Sequence, residues 1–166
     1  MEYRIGHSRD VHRFAKDRKL MLGGILIDYS RGLVGHSDAD CVLHAVVESI
    51  IGALGLGDLG THFPDNDPKY QGISSDYFVK YVSQLLDKYK FEICNLDITV
   101  ILEKPILAPY VNSMQKNIAK LLQISSSRVN VKATRNEVLG YIGRGEAIIA
   151  ECVVLIKRKE VIKKLL

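Results

Sequence analysis

Asp10 and His12 stand two residues apart, and His44 follows the run His36-Ser37-Asp38-Ala39-Asp40. One carboxylate and two imidazoles form the donor set of an open zinc site, in which three protein ligands leave a fourth position for water or substrate. The spacing supports this. In an extended segment, residues i and i+2 share a face, so Asp10 and His12 point the same way. His44 falls in the first turns of a helix whose start is marked by the capping pattern Ser37-x-x-Asp40. Along that helix Asp40, His44 and Glu48 recur at i, i+4 on one face. A zinc-bound imidazole usually gives its second N–H to a carboxylate or carbonyl, a role open to Asp40 or Glu48; the plainer reading of Asp40 is the cap itself.

Other segments suit phosphate. The backbone N–H groups at a helix start attract anions, and His36 and Ser37 add donors there, although Ser37 as N-cap and His36 as a loop residue are adequate roles too. Gly57-Asp58-Leu59-Gly60 and the Phe63-to-Asp67 loop are either hydrophilic connections or substrate contacts, with Asp58, Asp65 and Asp67 as the polar groups. Lys132-Ala133-Thr134-Arg135-Asn136-Glu137 ends a strand, and Leu139 to Glu146 follows with glycines at 140, 143 and 145. Those glycines allow close backbone approach, and the hydroxyl, guanidinium and carboxylate groups suit phosphate with a divalent cation. Gly-x-x-Gly-x-Gly does not match a dinucleotide fingerprint. Residue chemistry alone stops at metal-assisted phosphate chemistry.

The elements that must position these groups follow from hydrophobic periodicity. Residues 3–14 read as a strand carrying Asp10 and His12, and Lys19 to Asp28 as a hairpin around Gly23-Gly24. The capped helix runs to about Leu54, where Gly52, Gly55, Gly57 and Gly60 break it. Residues 61–73 read as a loop. Tyr77, Phe78, Tyr81, Val82, Leu85, Leu86 and Tyr89 mark a helix over roughly 74–90, and Val111, Met114, Ile118 and Leu121 a third. Leu96 to Leu102 and Val129 to Thr134 alternate as strands. Ala147 to Ile156 is nearly all apolar, as in a strand buried on both faces. The class is α/β, an α+β sandwich: one domain, with a mixed sheet and helices packed on one face.

At 166 residues, 47% hydrophobic and 25% charged, the composition is that of an ordinary globular domain. The net charge of +4 sits entirely in residues 157–166, so the excess is a basic tail beyond a neutral domain of residues 1–156. Such a terminal run reads as a solvated end, and no nucleic-acid partner is expected. Cys41, Cys94 and Cys152 are an odd number with no CxxC spacing, which suggests neither a thiolate zinc site nor a disulfide framework and fits a reducing compartment. No apolar run reaches membrane-spanning length, and no membrane partner is expected. No signal pattern is visible, and the motif starting at Arg4 leaves no room for a transit peptide ahead of it.

Five blocks carry a specific resemblance. Arg4-Ile5-Gly6-His7…Asp10-Val11-His12, His36-Ser37-Asp38-Ala39-Asp40…His44, Gly57-Asp58-Leu59-Gly60…Phe63-Pro64-Asp65-Asn66-Asp67-Pro68, Val131-Lys132-Ala133-Thr134 and Gly143-Arg144-Gly145-Glu146 resemble the 2-C-methyl-D-erythritol 2,4-cyclodiphosphate synthase family in order and spacing. The resemblance covers about residues 3–156. It implies a homotrimer with active sites between subunits, acting in non-mevalonate isoprenoid biosynthesis on a cytidine diphosphate substrate. The setting would be the bacterial cytoplasm, or the plastid stroma for a mature organellar form. It implies that Asp10, His12 and His44 bind Zn2+, and that Glu137 binds a second divalent cation, Mg2+ or Mn2+. It further implies that His36 and Ser37 contact the phosphates, and that Asp58, Leu59, Gly60, Phe63, Asp65 and Asp67 hold the erythritol phosphate. Leu102, Lys104, Pro105, Ile106, Leu107 and Ala108 would form the cytidine pocket with Ala133 and Thr134, while Tyr141 and Arg144 complete the phosphate end.

Two positions depart from the family pattern. Arg135 stands where a threonine contacts the diphosphate, and Ile106 where the nucleotide loop carries a lysine. The exchange keeps the local charge, and Arg135 is expected to act with His36 as a catalytic group by gripping the diphosphate. Two rival readings are a non-catalytic trimer that binds CMP or isoprenoid diphosphates, and a zinc hydrolase that releases a linear product.

Overall fold

A computed structural model describes residues 2–64 and 66–160. Asp65 and residues 161–166, including Lys163 and Lys164 of the expected basic tail, lie outside the described residues. Strand β1 (Tyr3–Lys16) leads into a hairpin of β2 (Leu20–Leu22) and β3 (Ile25–Ile27), followed by the short β4 (Arg31–Leu33). Helix α1 (Cys41–Leu54) and the single turn α2 (Leu59–His62) come next, then α3 (Asp76–Lys88), β5 (Phe91–Ile101) and α4 (Val111–Leu122). Strand β6 (Val129–Thr134), the short α5 (Gly140–Gly143) and β7 (Ala147–Arg158) complete the order. The hairpin turns through Gly23 and Gly24, both at positive φ, as the two-residue turn requires. None of the described helices is long and apolar enough to cross a membrane.

Five strands form one sheet in the order β4-β1-β7-β5-β6, antiparallel except for the parallel pair β5–β6. The domain is therefore mixed α/β, as expected. Register assigns each residue a face. Opposite one another lie Gly6 and Val154, Ser8 and Cys152, Asp10 and Ala150, His12 and Ile148. Leu96, Ile98 and Val100 of β5 continue the same stripe against Val154, Cys152 and Ala150. Helix α1 packs on this face, buried along almost its whole length, and α3 and α4 extend the layer. At Gly6 the close approach leaves no room for a side chain, since a Cβ there would sit 1.8 Å from the Ser49 carbonyl oxygen. The missing Cβ lets α1 lie directly on β1, which brings His44 over Asp10 and His12.

Three expectations change. First, the helix cap is Asp40 and not Ser37: the Asp40 side chain accepts from Val42 N–H and Leu43 N–H, and the helix opens at Cys41. Asp40 is fully buried and also accepts from Gly23 and Gly24, so it ties the hairpin to α1. Burial raises the Asp40 pKa, opposed by the N–H groups of Gly24, Leu43 and Gly23. Tertiary contacts chose the longer acid over the serine. Second, β7 is buried on both faces only over residues 147–150, where Ile142 of α5 covers Ala147 and Ile149 on the outer side. Its inner residues are buried, while Val153 on the outer face is 44% exposed. Away from α5, that outer face also leaves Ile5 71% and Val11 44% exposed. Third, Lys157 and Arg158 belong to β7, where Lys157 pairs with Glu92 and Arg158 with Glu2.

Candidate active site

The three donors read from the sequence meet. Asp10 Oδ2 lies 3.0 Å from His12 Nε2 and 3.1 Å from His44 Nδ1, and the two ring nitrogens are 3.3 Å apart. Zinc–ligand bonds of about 2.0–2.1 Å at tetrahedral angles put neighbouring donors about 3.3 Å from one another. The triangle therefore has the edge lengths of a zinc site.

Its electronic arrangement points the same way. His12 Nδ1 donates to the Val34 carbonyl at 2.6 Å, which leaves the Nε2 lone pair facing inward. His44 Nε2 is 3.1 Å from Ser37 Oγ and 3.0 Å from Ser75 Oγ, which turns Nδ1 inward. The other Asp10 oxygen, Oδ1, accepts from its neighbour Val11 N–H. The Asp10 oxygen and two ring nitrogens thus converge, an arrangement that suits a metal ion. Without a metal, protons take that role. Burial pushes the Asp10 pKa up, but the hydrogen bonds from His12 and His44 outweigh it and hold the carboxyl well below the usual range. Burial pushes His12 down, yet Asp10, aided by the Val34 carbonyl, raises it overall. Among the described residues, this is the group whose donor atoms fit one metal ion.

The triangle opens into a cavity of about 290 Å3 lined by His36, Ser37, Leu59, Phe63, Tyr70 and Phe78 as well as the donors. His36 Nε2 reaches the Asp67 carbonyl at 3.3 Å, so the Phe63-to-Asp67 loop rests on the helix entry. Phe63 is buried in a ring cluster with Tyr70, Phe78 and Tyr81 and forms the cavity floor. Asp58 caps α2 by accepting from the Thr61 N–H and hydroxyl, and Gly60 lies in that turn. Asp67 pairs with Lys69 at 2.7 Å. Asp65 lies outside the described residues. A neighbouring opening shares Val11 and His12 with this cavity and adds Tyr141 and Glu146. Tyr141 stands on the outer sheet face, where its hydroxyl accepts from Arg9, while Arg144 is exposed and pairs with Glu146.

The expected nucleotide residues gather elsewhere. Leu102, Pro105, Ile106, Leu107, Ala108, Ala133, Thr134 and Arg135 line a cavity of about 310 Å3 that has no residue in common with the metal cavity. Leu102 and Leu107 are buried, Ile106 is 67% exposed at the rim, and Lys104 is exposed outside the lining. Glu137 is exposed just beyond it and does not join the metal triangle. Glu137 and Val138 both hold positive φ, a strained state for a β-branched residue. Glu103 stabilises that turn by accepting from Asn136 N–H and Val138 N–H, each at 3.0 Å.

Sequence reasoning missed Glu103, and it also missed the partners of His44. Neither Asp40 nor Glu48 holds that ring, because Glu48 accepts from Ser8 and Asp40 from backbone. Ser75 and Ser37 do. The loop before α3 carried no motif, and only a hydroxyl followed by helical periodicity hints at a cap there.

Known proteins share this architecture. The chain is 51% identical over 155 residues to the 2-C-methyl-D-erythritol 2,4-cyclodiphosphate synthase of Brachyspira hyodysenteriae, covering 93% of this chain and 98% of that one. It is also 51% identical over 156 residues to the enzyme of that name from Geotalea uraniireducens, covering 94% and 99%. A solved structure of Plasmodium falciparum IspF in complex with CDP superposes with a TM-score of 0.84 at 35% identity, over 95% of this chain and 97% of that one. The profile of the YgbB family matches residues 3–157, which takes in the metal triangle and both cavities, and the chain belongs to that family.

Proposed function

We propose that this chain converts 4-diphosphocytidyl-2-C-methyl-D-erythritol 2-phosphate to 2-C-methyl-D-erythritol 2,4-cyclodiphosphate and CMP, the ring closure for which its relatives are named. The observation that carries the reading is the convergence of Asp10, His12 and His44 in a cavity walled by His36 and Ser37. In this reaction an oxygen of the 2-phosphate attacks the β-phosphorus, and the bond from that phosphorus to the CMP oxygen breaks. A phosphate monoester has a second pKa near ~6, so the nucleophile is already mostly dianionic and needs no strong protein base. Catalysis reduces to positioning and charge neutralisation.

Asp10, His12 and His44 would hold Zn2+, which supplies Lewis-acid stabilisation of phosphoryl charge. His36 and Ser37 bind phosphate oxygens at the entry of α1, with His36 kept in place by the Asp67 carbonyl. The turn at Asp58–Gly60 and the aromatic floor under Phe63 seat the erythritol. Leu102, Pro105, Leu107, Ala108, Ala133 and Thr134 enclose the cytidine, and Glu137 offers a carboxylate for a second divalent cation, Mg2+ or Mn2+. Arg135, exposed on the wall of that cavity, takes the diphosphate in place of the threonine and lysine absent here.

The separation of the two cavities supports an assembly in which each active site combines the metal cavity of one copy with the nucleotide cavity of the next. The exposed apolar residues on the outer sheet face, Ile5, Val11 and Val153, supply a surface for a homotrimer. The three free cysteines suit the bacterial cytoplasm or a plastid stroma. The reading is tested by zinc content measured with CMP release, before and after chelation, and by phosphorus NMR of the product. Cyclic diphosphate formation that tracks metal content is expected. A linear product would establish the hydrolase, and absent turnover in zinc-loaded protein the non-catalytic binder.

A further inference from the structure

His44 can serve the metal through Nδ1 only if its proton sits on Nε2, and that choice depends on its hydroxyl neighbours. Ser37 Oγ cannot decide it. It accepts from Ala39 N–H, and its own proton is free to point at the ring or away from it. Ser75 is different. Its O–H donates to Asp38 Oδ1, and its N–H donates to Asp38 Oδ2 at 3.0 Å. A carboxylate only accepts, so the single Ser75 proton is committed to Asp38. The oxygen facing His44 Nε2 at 3.0 Å then presents a lone pair, and only an N–H can face it. Asp38 is itself held in place by its N–H to the Ile73 carbonyl, and Asp40 N–H points back at its Oδ1.

We infer that Asp38, acting through Ser75, selects the His44 tautomer that binds zinc, which makes Asp38 and Ser75 positioning residues of the metal centre. The inference rests on the zinc reading of the triangle and deepens it. Neither residue touches the three donor atoms, and Ser75 makes no side-chain capping bond to α3, so its hydroxyl is free of that structural duty. In Asp38→Asn the amide has one oxygen for two Ser75 donors. Either its NH2 meets the hydroxyl and turns that proton toward His44, or it meets the Ser75 N–H and strains the turn.

The test uses the full chain, stripped of metal, with zinc affinity read by competition against a chromophoric chelator. Asp38→Asn and Ser75→Ala are expected to bind zinc about 10–100-fold more weakly, the loss typical of partners behind a ligating histidine, and Ser75→Thr to stay within about threefold. Nitrogen-15 NMR of the metal-free protein, taken at a pH high enough for the ring to be neutral, gives the second readout: His44 protonated on Nε2 in the unmodified chain, and a tautomer mixture in Asp38→Asn. Unchanged zinc affinity in folded Asp38→Asn, or an unaltered His44 tautomer, overturns the inference. Should Asp38→Asn fail to fold, the Ser75→Ala and Ser75→Thr pair decides by the same two readouts. No substrate is present, so a chain that follows this pattern yet releases no CMP refutes the proposed reaction and leaves the relay standing.

Discussion

Replacing Asp40 by asparagine separates an ordinary helix cap from the double role the fold assigns it. At a simple N-cap the two residues are nearly equivalent, and the exchange costs close to nothing. Here Oδ1 accepts from Gly23, Val42 and Leu43, while Oδ2 accepts from Gly24 at 2.6 Å, and Asp40 itself has no solvent access. An amide that keeps its oxygen on the three-donor side must set its NH2 against Gly24 N–H. One buried donor left facing another donor costs about 2 kcal/mol. Alanine removes both functions: about 1 kcal/mol for the cap plus two unsatisfied loop N–H groups gives a loss of about 4 kcal/mol. For a chain of this size the asparagine variant should melt about 4–8 °C lower. Calorimetry and urea unfolding of the metal-free protein measure both variants. An asparagine variant within about 0.5 kcal/mol of the parent would refute the double role and reduce Asp40 to a cap.

Arg135→Thr should lower kcat/KM for CMP release by about tenfold, the worth of one charge-assisted bidentate contact; faster turnover at unchanged KM would remove Arg135 from the site. Ile5→Glu places a charge in the exposed apolar face and should yield monomers in sedimentation that still bind zinc but release no CMP. A trimer that survives this change would move the interface elsewhere. The metal-free protein should carry a signed pH signature, read as its stability minus that of His12→Asn. His12 is raised above its ordinary 6.5, so its contribution is complete below that pH and fades as pH rises through the higher folded value. Asp10 is lowered from 3.8, so its contribution is present above that pH and fades on acidification. With zinc bound the alkaline trend should reverse, because ligation requires bare imidazoles. A chelated protein whose difference grows from pH 6 to 8 would contradict this.

What could be read beforehand was whatever depends on local periodicity. Asp10 and His12 share a face because a strand repeats every two residues, and β1 obeys that rule for its full length. His44 needed only a helix placed over the strand. The misreadings arose where a distant element competed. Ser37 looks like the start of a capping box, but the hairpin supplies two more N–H groups that only the longer Asp40 can reach while also capping α1. Ser75 lies 31 positions from His44, so no local pattern links them. The apolar outer residues of β7 read as interior because half of them are: Ala147 and Ile149 lie buried under Ile142, and only Val153 farther along is open.

That last confusion carries information about the assembly. Past the part of the outer face that Ile142 covers, Ile5, Val11 and Val153 stay exposed, and in the proposed trimer they would meet another copy. Residues Val11 and Ile5 alternate strictly with Ser8, Asp10 and His12, so the same strand offers metal ligands to α1 and apolar side chains outward. Any copy docked on that outer face is thereby registered against the metal triangle through a single rigid strand. Residue Arg9, which pairs with Glu151 and reaches Tyr141 on the same face, sits between the two outward apolar positions and would meet the partner as well. In the proposed trimer, changes on that face should therefore reach catalysis by displacing the neighbour's nucleotide cavity, while metal affinity at Asp10, His12 and His44, all within one chain, stays constant. Parallel loss of zinc and trimer in an interface variant would show instead that the triangle itself depends on assembly.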